Sequence, residues 1–398
     1  MADSAPTQKT SIWSVGFISL IVVNLFQYMG QMMMNTVIPL YAYDMGATAT
    51  LVGVITGAFG LTALASRPFA GPAFDSFSKK WLFFGSMCIY VVATVLYGFA
   101  SSFPELLGVR LLHGLAMGFS GPLGLARATQ MLPADKMASG IGFYSAAQVV
   151  GQALGPAVGL WLVEAYGYPS VFTFSGIFIT ISAILLFFLK EPPGPERKPY
   201  RLSFNRMFAP KALMPALILF LLNLPYICTT AFVVIYAGLF GVEGIGLYFT
   251  VYAVCLMVTR PVFGSWADRF GIAKVLIPSM ICYSVSFVLL AFSTTLPMFL
   301  VAAVLSACGL GASSPLIQTL AMKLVPLDAR GSASNTVFAG LDFSCLIGPV
   351  VGGAIVEAMR GVVTTEAAAY TGMWFIMLIP IFVTLVIFIL WNKKPKTA

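Results

Sequence analysis

Displacing the sequence against itself by 193 residues aligns two distant stretches without a gap. Arg67, Pro68, Gly71, Asp75 and Phe77 fall on Arg260, Pro261, Gly264, Asp268 and Phe270, and Pro133 and Asp135 fall on Pro326 and Asp328. Farther along, Gly155, Pro156, Gly159 and Glu164 meet Gly348, Pro349, Gly352 and Glu357. A constant offset maintained over such a distance is an internal duplication, so the fold must accommodate two equivalent halves. Because the repeated unit is almost wholly apolar, both halves belong in a membrane, arranged as a parallel repeat.

The chain is 59% hydrophobic and 9% charged, whereas a soluble domain carries about 25% charged residues. Stretches apolar enough to cross a roughly 30 Å hydrocarbon layer fall at 13–41, 49–70, 81–101, 104–131, 137–165, 168–189, 212–239, 243–263, 272–292, 295–322, 331–358 and 368–391. The expected fold is an all-α membrane protein with twelve transmembrane helices in two six-helix halves. The halves span 1–189 and 212–398, the second with a short cytoplasmic tail, and a proline-rich basic linker at 190–211 separates them. The remaining loops are too short to hold a soluble catalytic domain.

The net charge of +8 is not pooled into a nucleic-acid patch. Lys79, Lys80, Lys136, the linker, Arg269, Lys274, Lys323, Arg330, Lys393, Lys394 and Lys396 fall on one side of a twelve-span arrangement. The other side carries Asp44, Glu105, Glu164, Glu243, Glu357 and Glu366, with Arg360 as its only base. The positive-inside rule then places both termini in the cytoplasm of a multi-pass plasma-membrane protein, the cytoplasmic membrane if the source is bacterial. The first span is too long for a signal-peptide core, so no cleaved leader is expected. All six cysteines lie inside predicted spans at irregular spacing, which points to neither a disulfide framework nor a metal site.

At this stage the residues resemble a known family. The stretches RPFAGPAFDSFSKK after helix 2 and RPVFGSWADRFGIAK after helix 8 are similar to the GxxxDxxGR/K loop of the major facilitator superfamily. Helix 5 reads GQALGPAVGL, similar to the GxxxGPxxGG element of its twelve-span drug/proton antiporter branch, and LLGVRLLHG in helix 4 is similar to LxxxRxxQG. Ser78 stands where the family often has glycine, and His113 stands at the usual glutamine. The resemblance implies a cytoplasmic gate latch at Arg67, Gly71, Asp75 and Lys79, echoed by Gly264, Asp268 and Arg269. It also links Arg110 with proton coupling or substrate contact.

Gly151, Gly155 and Gly159, with Pro156, put small residues on one face of helix 5, and Gly348, Pro349 and Gly352 repeat the element in helix 11. The pattern permits close helix packing and a bend, or packing alone. In helix 1, Asn24, Gln27, Gln31 and Asn35 share a face, and helix 5 answers with Gln148 and Gln152. These amides either line a central cavity or bond helix to helix. Tyr28 and Tyr226 are candidate aromatic cavity walls, or simple core.

Besides His113, Arg110 and Asp342 are the ionisable groups well inside the hydrocarbon. A charge there costs about 2.5–3.5 kcal/mol on insertion scales, so each needs a partner or a task. Asp342 is the leading candidate proton site, with Asn335 two turns earlier on the same face. The rival readings are a cation ligand and a fixed ion pair with a base on another helix. His113 is a candidate proton carrier or a hydrogen-bonded filler. The expectation is a monomeric secondary transporter working by alternating access, with lipid, protons and a small-molecule substrate as partners. It requires no cofactor, since no phosphate-binding sequence is present and the proton gradient supplies energy. The favoured cargo is small, amphiphilic or drug-like, moving outward as in multidrug resistance; the alternative is an importer or exchanger of organic anions or sugars, with Arg110 as ligand.

Overall fold

A computed structural model describes residues 13–132, 137–190, 199–200, 208–326 and 330–393. Among these, twelve helical spans follow one another. Spans 1 to 6 are Val15–Asp44, Ala49–Ser76, Lys79–Tyr97, Phe103–Gln130, Met137–Tyr166 and Tyr168–Phe188. Spans 7 to 9 are Leu213–Gly238, Gly246–Phe270 and Ile272–Phe292. Span 10 is Leu296–Lys323, span 11 is Arg330–Arg360 and span 12 is Glu366–Asn392. The start of span 1, the end of span 6, the start of span 7 and the end of span 12 lie at one face of the bundle, the linker face; the odd-to-even turns within each half lie at the other, the far face.

Local sequence dictates where these helices begin and turn. Ser14, Thr48, Ser78 and Thr365 each accept a hydrogen bond from a first-turn backbone N–H. Before span 4, Glu105 reaches back to accept from the Ser101 and Ser102 N–H groups at 2.8 and 3.2 Å. Spans 5 and 6, and spans 8 and 9, are each joined by one glycine, Gly167 at φ +78° and Gly271 at φ +92°, a backbone state that a Cβ disfavours.

Two segments expected to be loops are helical. Span 2 continues through Arg67, Gly71 and Asp75 to Ser76, and span 8 continues through Gly264, Asp268 and Arg269 to Phe270. The reversal after span 2 is confined to Phe77 and Ser78, and Lys79 already opens span 3. The motif resemblance placed a loop here, but an unwound turn near hydrocarbon would leave several backbone groups unpaired, whereas Pro68 and Pro72 each lack only their own N–H.

The duplication is visible in the packing. A Cβ at Gly155 would meet Met29 O and Met32 Cβ of span 1, each at 2.8 Å, and a Cβ at Gly348 would meet Leu224 O of span 7 at 3.1 Å. Gly151 and Gly159 close on span 1 in the same way, and Gly352 closes on Cys228 and Phe232 of span 7. The glycine elements are therefore packing faces within each half.

The halves meet along spans 2 and 11, spans 5 and 8, and spans 1 and 7. The span 2–span 11 seam is backbone on backbone: a Cβ at Gly53 would collide with the Pro349 carbonyl, at Gly57 with the Leu346 carbonyl, and at Gly353 with the Ala49 carbonyl. In the span 5–span 8 seam, Thr250 Oγ1 donates to the Ala153 carbonyl at 2.9 Å. These close approaches lie in the far-face portions of their helices. Toward the linker face, spans 2 and 11 part around a crevice lined by Leu64, Arg67, Asn335 and Phe343.

Candidate functional site

A cleft lies where the halves meet, with about 800 Å³ of empty space when its open mouth is included. The first half supplies Gln31, Met32, Asn35, Thr56, Phe59, Arg110, Gln152 and Pro156. The second supplies Tyr226, Ile227, Thr230, Phe249, Tyr252 and Cys345. A site built from both halves would change shape with any motion of one half against the other, which a pocket inside one half would not.

Arg110 is 2% exposed and is the charged group among the described lining residues. Its Nη2 donates to Asn35 Oδ1 at 2.9 Å, and its guanidinium carbon lies 5.0 Å from the Phe59 ring centroid. Its Nε and Nη1 find no hydrogen-bond acceptor among the described residues; the Tyr97 hydroxyl is a polar neighbour. His113, one turn on, points instead into an aromatic enclosure. Tyr90 stacks on it at 4.2 Å, Phe59 meets it edge-on at 5.3 Å, and its Nδ1 lies 3.3 Å from the Tyr97 hydroxyl.

The amide stripe divides. Gln31 and Asn35 line the cleft, as do Gln152 and Tyr226, which bond each other at 3.0 Å across the halves. Asn24 and Gln27 do not line it: Asn24 donates to the Tyr144 carbonyl at 2.7 Å and Gln27 to Ser120 Oγ at 2.9 Å. Gln148 donates to Asn24 at 3.4 Å. These three tie spans 1, 4 and 5 together, the interhelical alternative. Tyr28 lies outside the cleft lining, and Asn335 faces the span 2–span 11 crevice.

Asp342 has a fixed partner. Arg67 Nη2 donates to its Oδ1 at 3.0 Å and Arg67 Nε to its Oδ2, a forked pair across the two halves with side chains only 19% and 14% exposed. Arg67 therefore ties the two halves together through Asp342. The guanidinium also lies over Phe338, 5.3 Å from its centroid. The Asp75 side chain and the surroundings of Gly71 lie outside the described residues. In the second copy, Asp268 and Arg269 are exposed and a Cβ at Gly264 would meet nothing within 4 Å, so no close approach occurs there.

The far face carries a network that the sequence reading did not single out. Glu357 Oε1 accepts from the Ala49 N–H at 2.8 Å, so span 11 caps the N-terminus of span 2 in the other half. Arg360 Nη1 donates to Glu357 at 2.8 Å and Nη2 to Glu366, which also accepts from the Tyr43 hydroxyl at 3.1 Å. The cluster of acids around a lone Arg360 was the available signal. Glu357→Ala should weaken far-face closure by about 1 kcal/mol, the worth of a cap. A cysteine at Gln31 in cysteine-free protein should then react about fivefold faster with an impermeant thiol reagent supplied from that face. An unchanged rate would contradict the closure role.

Comparison with known proteins bears on this arrangement. The sequence profile of the Major Facilitator Superfamily matches residues 20–244 and 226–398. A multidrug resistance efflux pump PmrA homolog of Lactococcus lactis is 26% identical over 347 residues, covering 83% of this chain and 84% of that protein. The multidrug resistance protein MdtG of a Rahnella species is 28% identical over 342 residues, covering 80% and 81%. The crystal structure of the nucleoside transporter NupG superposes with a TM-score of 0.75 at 16% identity, over 96% of this chain and 100% of that one.

Proposed function

Since this chain belongs to the Major Facilitator Superfamily, we propose that it is a proton-coupled secondary transporter that exports small amphiphilic molecules by alternating access. The observation that carries the reading is the central cleft, walled by both halves and closed toward the far face by the span 2–span 11 and span 5–span 8 seams. Rocking the halves about that cleft exchanges the face to which it opens. The bases on the linker face support a cytoplasmic location for it and for both termini. An exporter loads its cleft from the cytoplasm, the face opposite these seams. The efflux relatives support the outward direction.

Coupling rests on Asp342. Its pair with Arg67 joins the halves, so protonating the carboxylate removes one attraction that opposes their rearrangement. The proton gradient is the energy source, with no cofactor, and the functional unit is a monomer in the bilayer.

The test uses proteoliposomes holding either 2-naphthalenesulfonate or (2-naphthylmethyl)trimethylammonium, two permanently charged amphiphiles, under an imposed pH gradient. Protein-dependent flux of at least one is expected, and it should stop when a protonophore collapses the gradient. No flux of either probe overturns efflux of amphiphiles. Flux indifferent to the gradient overturns proton coupling.

A further inference from the structure

Resting on that transport reading, we infer that the cleft receives an amphiphilic organic anion, with its charged group at Arg110 and its aromatic body against Tyr226 and Tyr252. Arg110 is 2% exposed, yet among the described residues its neighbours are neutral, the Asn35 amide that accepts from Nη2 and the Tyr97 hydroxyl, and its Nε and Nη1 find no acceptor. A guanidinium presents five donors in a fixed fork that fits the oxygens of a carboxylate, sulfonate or phosphate. Phe59 offsets part of the charge through its ring face but accepts no hydrogen bond. An isolated buried cation is costly, and an anionic ligand supplies both the missing charge and the missing acceptors.

No carboxylate lines the cleft among the described residues, so no counter-charge awaits a cationic cargo there. Asp342, the nearby acid, is engaged by Arg67 through both of its oxygens. The duplication adds a second positive charge. Arg260 is the counterpart of Arg67, but the position equivalent to Asp342 is Val149. Arg260 thus lacks the acid that its twin has. It stands exposed, with no ion pair among the described residues, and within electrostatic reach of Tyr28, Tyr226 and Tyr252. The approach to the cleft is therefore positive, which attracts anions.

The other end of the cleft suits a flat apolar body. Tyr226 and Tyr252 stack with centroids 5.3 Å apart, and Phe249 and Ile227 complete the wall. Arg110 enters from span 4 of the first half and the tyrosines from spans 7 and 8 of the second. A molecule with an anionic head and an aromatic tail bridges the halves.

Isothermal titration of the purified full chain with three probes that share one ring system tests the assignment: 2-naphthalenesulfonate, neutral 2-naphthalenesulfonamide and (2-naphthylmethyl)trimethylammonium. The sulfonate should bind at least about tenfold more tightly than the other two, and Arg110→Gln should remove that preference while leaving the sulfonamide unaffected. Arg110→Lys should retain part of it, which also serves if the glutamine variant does not fold. Equal binding of the three probes by native protein, or a preference for the cation, overturns the anion site, as does a preference that survives in Arg110→Gln. The two readings fail separately. Arg110-dependent sulfonate binding without flux in proteoliposomes removes the transport reading and keeps the site; gradient-driven flux of the trimethylammonium probe alone does the reverse.

Discussion

Asp342→Asn is expected to reduce gradient-driven flux to the level of protein-free liposomes. The asparagine keeps the size of the carboxylate but cannot carry a titrating proton, and it leaves the Arg67 guanidinium at the interface without a counter-charge. Removing one partner of a buried pair costs about 3 kcal/mol at the lower end of the usual range, appropriate here because both side chains keep some exposure. The melting temperature should therefore fall as well. The double variant Arg67→Gln/Asp342→Asn separates the two consequences. With both charges gone, thermal stability should return toward that of the native chain, while flux stays lost because nothing titrates. Recovery of gradient-driven flux in the double variant would reduce the pair to a structural tie and end its assignment as the coupling site.

Gly53→Ala/Gly57→Ala should destabilise the state closed at the far face and lower transport at least about tenfold. Alanine is a better helix former than glycine by up to about 1 kcal/mol per residue, so propensity alone predicts a gain. The contact geometry decides otherwise. Each added methyl points at a backbone carbonyl of span 11, Pro349 or Leu346, which cannot rotate away as a side chain would. Overpacking costs about 1–3 kcal/mol per site, and spans 2 and 11 can relieve it only by separating. A cysteine at Gln31 should then become markedly more reactive from the far face. Gly85→Ala and Gly108→Ala are the controls, because nothing lies within 4 Å of a Cβ at either position; they should transport normally. Normal transport and unchanged Gln31 reactivity in the double variant would show that the seam tolerates expansion.

The sequence by itself determined the architecture. Twelve apolar stretches, a basic linker and the constant offset are each local or periodic properties, and hydrocarbon admits a single response to an apolar stretch of that length, a helix with its backbone groups paired internally. The offset likewise foretold that the glycine elements around Gly155 and Gly348 would be equivalent, while their partners, spans 1 and 7, came from the structure. Arg110 was legible because a lone charge in an apolar helix stands out without any knowledge of its neighbours.

Only the tertiary structure decided which partners these residues meet. Asn24, Gln27, Gln31 and Asn35 share a helical face, yet the upper and lower parts of that face look at different things: spans 4 and 5 for the first two, the cleft for the others. Periodicity along one helix specifies a direction but not what lies there. Arg67 was read with the motif surrounding it in sequence, whereas its charge is answered by Asp342, 275 residues away. The seam glycines at 53 and 57 form a small-residue pattern common in membrane helices, and choosing span 11 as their neighbour required the packing of all twelve spans. Even the duplication misleads at this level, since Arg67 and Arg260 occupy equivalent places but, among the described residues, only Arg67 pairs with an acid. The difference lies in Asp342 against Val149, and it becomes meaningful only once spans 2 and 11, and 5 and 8, are seen side by side.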